Sequence, residues 1–174
     1  MKAPILTDAQ WNKIALHVET MKRPEHYRLL LVLVRKLGLR PMELAGLESS
    51  WFRGGELRIP LGHSKGGSGR SLPVSADILD AVYLHMGERK GRVFLNREGY
   101  PFSAHQMSAS VRRLMGMAGV EGSAYSGRRG MATRMVEQGA SMRVLQKALG
   151  HRHLQTTMAY AEVSDSMLRQ ALFG

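Results

Sequence analysis

The stretch from Tyr125 to Tyr160 sets an arginine, a histidine and a hydroxyl nucleophile close together, as Tyr125-Ser-Gly-Arg128, then Leu149-Gly-His151, then Thr156-Thr-Met-Ala-Tyr160. Side chains of these types suit chemistry on an anion. Arg128 is expected just inside a helix capped by Ser126, where its guanidinium fork would lie beside backbone N–H groups that favour negative charge. His151 follows Gly150, a residue suited to the left-handed turn that ends a helix, so its imidazole is expected at a break in the backbone, pointing into a cleft. Tyr160 follows on a short helical run. A free phenol has a pKa of about 10, so as a nucleophile at neutral pH it needs neighbouring positive charge or a base. The arginine and histidine nearby would supply that charge.

The elements that must position these groups begin with Thr7-Asp-Ala-Gln10, a capping-box pattern, followed by Trp11, Ile14, Ala15, Val18 and Met21 at helical spacing. A second helix opens near Pro24, turns Tyr27, Leu30, Leu31, Val34 and Leu37 inward, and stops at Gly38. Arg40 then stands at the entrance of a third helix, with Pro41 in its first turn, Glu43 near its positive end, and Leu44 and Leu47 turned to the core. Taken alone, a helix-flanking arginine reads as a solvated surface charge.

From Trp51 the pattern changes to short strands, over Trp51-Phe52-Arg53, Glu56 to Leu61 and Arg70 to Val74, separated by glycine-rich turns. They imply a small antiparallel sheet. Lys65 projects from the second turn, whose spacing is not that of a phosphate-binding P-loop. After Ser75 a helix is expected with Ile78, Leu79, Val82 and Tyr83 inside. Arg92 to Leu95 reads as a short extended run, and a long helix after Ser103 carries Met107, Val111, Leu114, Met115 and Ala118, with Met107, Met115 and Met117 as flexible core filling. Arg112 and Arg113 lie off its apolar face, available to phosphate or simply solvated. Met131, Ala132, Met135 and Val136 give one further helix. Ser141 starts another through Val144, Leu145, Ala148 and Leu149, with Arg143 and Lys147 on it in the manner of a reading helix. Ser164-Asp165 would cap a last one.

The chain has 174 residues, enough for one domain with a sizeable core, and 44% of them are hydrophobic. Lys and Arg number 25 against 14 Asp and Glu, a net charge of +11 that points to a nucleic-acid partner. The absence of cysteine excludes disulfides, thiolate metal sites and a thiol nucleophile. No apolar run reaches the roughly 18 residues of a membrane span, and the N-terminus lacks a signal-peptide core. A cytoplasmic, DNA-associated location is expected.

Four pieces of the sequence, in order, resemble the tyrosine recombinase or phage integrase family. Gly38-Leu-Arg40-Pro-Met-Glu43-Leu44-Ala-Gly-Leu47 resembles its first arginine motif, and Ser64-Lys65-Gly-Gly-Ser-Gly-Arg70-Ser-Leu-Pro73-Val74 its lysine hairpin. Tyr125-Ser-Gly-Arg128-Arg-Gly-Met-Ala132-Thr133 resembles its second arginine motif, and Leu149-Gly-His151 through Tyr160 its histidine and nucleophile. The resemblance implies a mainly α fold with a small three-stranded antiparallel sheet, residues 1–174 forming one catalytic domain. It also implies site-specific DNA cleavage and rejoining through a 3′-phosphotyrosine on Tyr160, with no metal or energy cofactor. Arg40, Arg128 and His151 would hold the phosphate oxygens, Lys65 would protonate the leaving 5′-oxygen, and Glu43 would orient an arginine. DNA contacts are expected from Arg70, Arg112, Arg113, Arg129, Arg143, Lys147 and Arg152. The implied partners are double-stranded DNA, further copies of the chain in a tetramer, and a separate accessory protein that binds DNA.

Two departures stand out. Tyr125 occupies the place where the family usually has histidine, which slows catalysis or leaves a DNA-binding regulator on the same fold. The family's N-terminal core-binding domain is also expected to be absent. Relaxation of supercoils, as by a type IB topoisomerase, would share the chemistry but not the chain's size or the spacing from Leu149-Gly-His151 to the tyrosine.

Overall fold

Thr7 and Gln10 close the first helix in the way their spacing predicts: the Thr7 hydroxyl accepts the Gln10 N–H, and the Gln10 side chain accepts that of Thr7. In the computed structural model, which describes residues 3–63, 69–158 and 169, this helix is α1 (Asp8–Glu19). Lys65, Tyr160 and the expected C-terminal helix lie outside the described residues. Trp11, Ile14 and Val18 carry the buried face of α1 onto α2 (Pro24–Leu37). Pro24 opens α2 and Gly38, at φ 55°, ends it in the left-handed region. The buried stripe of α2 is His26, Leu29, Leu30, Leu33, Val34 and Leu37, while Tyr27 and Leu31, expected inside, are only partly covered. Packed by α1, α4 (Ala76–Met86) and α6 (Ala124–Glu137), α2 is the central helix.

The chain turns at Arg40 into α3 (Pro41–Gly46), which packs on α5 (Ala104–Met117). After a short 3-10 turn that buries Trp51, three strands follow as an antiparallel sheet in the order β1 (Phe52–Arg53), β2 (Glu56–Ile59) and β3 (Arg70–Pro73). Trp51 and Leu61, expected in strands, lie outside them; Leu61, beyond Pro60, is exposed. In the β2–β3 register Leu57 faces Leu72 and Ile59 faces Arg70, and all four are buried. Strand alternation thus puts Arg70 on the inner face.

Helix α4 buries only Ile78 and Met86, with Val82 partly covered between them, so its contact is one narrow side. Leu79 and Tyr83, expected inside, lie outside that stripe and face solvent. Helix α5 opens on the capping box Ser103/Gln106 and buries Met107, Val111, Leu114, Met115 and Ala118 as its periodicity predicts. Met117 falls off that face and is exposed, so it is not core filling. Helix α7 (Met142–Leu149) is capped by Ser141, and α8 (Leu154–Met158) follows. Leu145 and Leu149 pack with Met131 and Ala132 as a second small core, while Val144, expected inward, is exposed. Among the described residues, no helix is long and apolar enough to cross a membrane.

Candidate active site

The N-cap of α6 lies three residues before the expected one, Ser126. Ser123 is the N-cap, and Ser126 completes the box by accepting the Ser123 N–H at 3.1 Å. Arg128 therefore lies in the second turn rather than the first. At Gly127 the helix approaches α2 so closely that a Cβ there would sit 2.3 Å from the Val34 carbonyl oxygen. That approach carries the next residue inward, and Arg128 is 1% exposed. Its Nη1 donates to the Gly38 carbonyl at 3.0 Å, and its Nη2 donates to the Leu149 carbonyl and, at 3.3 Å, to Nε2 of His151. One guanidinium so ties the α2–α3 corner to the end of α7.

Gly150 ends α7 at φ 61°, and His151 emerges directly after it, as the sequence predicts. Its Nδ1 lies 3.0 Å from the Thr157 hydroxyl, which is buried. Because Arg128 donates to Nε2, the imidazole proton resides on Nδ1 and is given to Thr157. Burial, followed by the charges of Arg128, Arg40 and Arg70, lowers the pKa of His151 to about 4. The ring is neutral at physiological pH.

Arg40 is not the solvated charge that its helix-flanking position suggested. Its side chain is 11% exposed and its Nη1 donates at 3.0 Å to Oε1 of Glu43, which is fully buried. The Arg40 backbone N–H donates at 2.7 Å to Oε2 of the same carboxylate. Glu43 thus orients an arginine from a helix N-terminus, where negative charge is favoured. It holds a second one too: Arg70 Nη2 donates to Oε2 at 2.6 Å, and Arg70 Nη1 donates to the Ala148 carbonyl. Arg70 was expected as an outward DNA contact; its side chain is 2% exposed and committed inside the protein. The missed signal is local, since Arg70 and Leu72 alternate onto one strand face.

A cleft of about 520 Å³ opens beside His151, lined by Arg143, Lys147 and Arg152 together with Arg70, Ser71 and Gln146. Arg143, Lys147 and Arg152 are exposed, as phosphate contact requires. Arg112 and Arg113 are exposed on α5 but are not part of this lining. Arg129 is half-buried and donates to the Ala3 carbonyl. Tyr125, on the first turn of α6, is exposed. Among the described residues, no three His, Cys, Asp or Glu side chains converge on a metal-sized point.

Basic side chains gather around a buried arginine and a neutral histidine, an arrangement suited to an anion, in a mainly helical structure with one small sheet. The model of the phage integrase family matches residues 4–167, and the chain belongs to that family. Tyrosine recombinase XerC 2 of Ralstonia nicotianae is 33% identical over 152 residues, covering 82% of this chain and 44% of the relative. Tyrosine recombinase XerA of Pyrococcus horikoshii is 27% identical over 174 residues, covering 96% and 59%. The chain thus spans about half the length of these relatives. Among solved structures, XerA recombinase superposes with a TM-score of 0.78 at 20% identity, covering 98% of this chain and 64% of that one. The Tn1549 transposon integrase in complex with transposon right end DNA gives 0.78 at 18% identity, covering 99% and 66%. The fold is that of tyrosine recombinase catalytic domains.

Proposed function

We propose that residues 1–174 act as the catalytic domain of a site-specific tyrosine recombinase on double-stranded DNA. The observation that carries this is the convergence of Arg40, Arg128 and His151, distant in sequence: Arg128 bonds to His151 Nε2 and to the Gly38 carbonyl two residues before Arg40, and Arg40 is joined through Glu43 and Arg70 to the end of α7. Each of the three stands in a stretch that resembles a motif of the phage integrase family, within the residues the family model matches.

In this mechanism the Tyr160 hydroxyl gives its proton to solvent water and its oxygen attacks the scissile phosphorus in line. A 3′-phosphotyrosine bond forms as the bond to the 5′-oxygen breaks, and Lys65 gives that oxygen its proton. Arg40 and Arg128 turn to the non-bridging oxygens as negative charge accumulates on them, Arg128 releasing Nε2 of His151, and His151, protonated beside the phosphate, adds a third contact; removing one such donor costs on the order of 10²–10³ in rate. Reversal on a new strand restores the phosphodiester, so bond energy is conserved and no nucleotide cofactor is needed. Glu43 orients Arg40. Arg143, Lys147 and Arg152 hold the backbone beside the cleft, and Arg112, Arg113 and Arg129 add phosphate contacts elsewhere. The working form is a homo-tetramer on DNA in the cytoplasm, assisted by a separate DNA-binding protein.

Covalent capture tests this. The protein and its Tyr160→Phe variant are incubated with sheared DNA of the source cell, denatured in detergent, and the ends of protein-linked DNA are sequenced. Adducts that need Tyr160 and converge on one short site establish the activity. Absence of adducts, with DNA retained under native low-salt conditions, rejects it.

A further inference from the structure

We propose that Arg70 is a positioning residue, whose buried guanidinium joins Glu43, and through it Arg40, to the Ala148 carbonyl just ahead of His151. The role rests on the recombinase reading for its effect on rate and on geometry for everything else. Arg70 opens β3, five residues after Lys65 in the sequence, and its register with Ile59 fixes it on the inner face. From there Nη2 reaches Glu43 Oε2 at 2.6 Å and Nη1 reaches the Ala148 carbonyl. Glu43 in turn receives both the backbone N–H and Nη1 of Arg40. Three separate pieces of chain, the hairpin, α3 and the end of α7, are thereby held in one mutual position.

Packing on the other side fixes the same register. A Cβ at Gly150 would lie 2.9 Å from Arg70 Cδ, so the turn that presents His151 rests directly on the arginine stem. Burial pushes the Arg70 pKa down from the ordinary arginine value, the Glu43 carboxylate opposes that, and Arg40 adds to the fall. The chemistry demands arginine here: two bonds diverge from one planar fork, whereas a lysine ammonium is a point charge at the end of a flexible stem. Arg70→Lys keeps the charge and loses the span. A displacement of about 1 Å at a reacting group can cost on the order of 10²-fold in rate.

The deciding experiment compares wild type and Arg70→Lys in three readouts: adduct formation at saturating sheared source-cell DNA, affinity and salt slope for a short mixed-sequence duplex, and the His151 titration followed by NMR. The expected result is a 10- to 100-fold slower adduct step in a folded variant, with duplex affinity and salt slope unchanged and the His151 midpoint rising toward the ordinary histidine value of about 6.5 as the turn leaves its cations. An unchanged rate and midpoint overturn the proposal. So does weaker binding with a salt slope shallower by about 0.9 and an unchanged rate, which marks a direct phosphate contact. If wild type forms no adduct, the recombinase reading fails while the His151 midpoint still decides the positioning role. Should the variant fail to fold, NMR of the wild-type Arg70 guanidinium decides: resonances slow to exchange and unmoved by saturating duplex are expected, and a shift on adding duplex overturns the role.

Discussion

His151 Nδ1 stands 3.0 Å from the Thr157 hydroxyl while Nε2 takes an N–H from Arg128, so both ring nitrogens are engaged by the protein. The low pKa of about 4 has burial as its first cause and three arginines as its second. A phosphodiester placed among those arginines offsets their charge and favours the imidazolium, which donates from both nitrogens. Bound duplex should therefore raise the His151 pKa. By linkage, duplex affinity should strengthen as pH falls through the interval between the bound and free values. NMR titration of the His151 ring with and without duplex checks this, and an unmoved midpoint counts against it.

Gly127→Ala should be among the most damaging small substitutions in the chain. The added methyl would meet the Val34 carbonyl oxygen at 2.3 Å, and backbone on neither helix can step aside cheaply. Overpacking of this kind costs about 1–3 kcal/mol or more. Urea denaturation measures it. Stability equal to wild type would mean that α6 and α2 do not cross as described.

Removing Arg143, Lys147 and Arg152 together should flatten the salt dependence of duplex binding. Each neutralised phosphate contributes about 0.9 to the slope of log K against log salt. All three are exposed along one cleft, so a loss of roughly 2–3 in slope is expected with little change in melting temperature. A slope that stays at the wild-type value would move the DNA track elsewhere.

Tyr125→His should raise the rate of covalent capture. A phenol can donate a hydrogen bond to a phosphate oxygen, but near neutral pH it does not readily accept a proton as an imidazole does. The position is 47% exposed, so the exchange needs no repacking. Single-turnover adduct kinetics give the answer, and an equal or slower rate contradicts it.

His26 should make the fold acid-sensitive. Burial first, then the charges of His85 and Arg23, lower its pKa to about 4 against about 6.5 in an unfolded chain. A depressed histidine pKa contributes stability above about pH 6.5 that is lost as pH falls to about 4, a change on the order of 3 kcal/mol. Denaturation of wild type and His26→Leu at neutral and acid pH separates this contribution: the variant should show the shallower loss.

What the sequence revealed is what local interactions decide. The Thr7 capping box, the helix start after Ser103, the stop at Gly38 and the turn at Gly150 each depend on residues within one helical turn, and each is legible. That Glu43 pairs with an arginine was expected from the motif it stands in, and the partner proves to be Arg40, three residues before it. The partners of Arg70 were not legible, because they lie 27 and 78 positions away, although strand alternation with Leu72 carried a local sign of its burial. Nor was the exposure of Leu79 and Tyr83, since periodicity shows that a helix has an apolar side but not how much of it the neighbours cover. Lys65 and Tyr160 lie outside the described residues, so their placement rests on motif alone.

The apolar cluster of Met131, Ala132, Leu145 and Leu149 stands apart from the main core. Helix α7 is fastened to the body by guanidinium bonds to the carbonyls of Ala148 and Leu149, beside this small cluster of its own. The turn that carries His151 is thus held more by polar bonds than by apolar packing. Segments with few buried apolar contacts open more readily than a packed core, so amide hydrogen exchange should be faster along α7 than along α2.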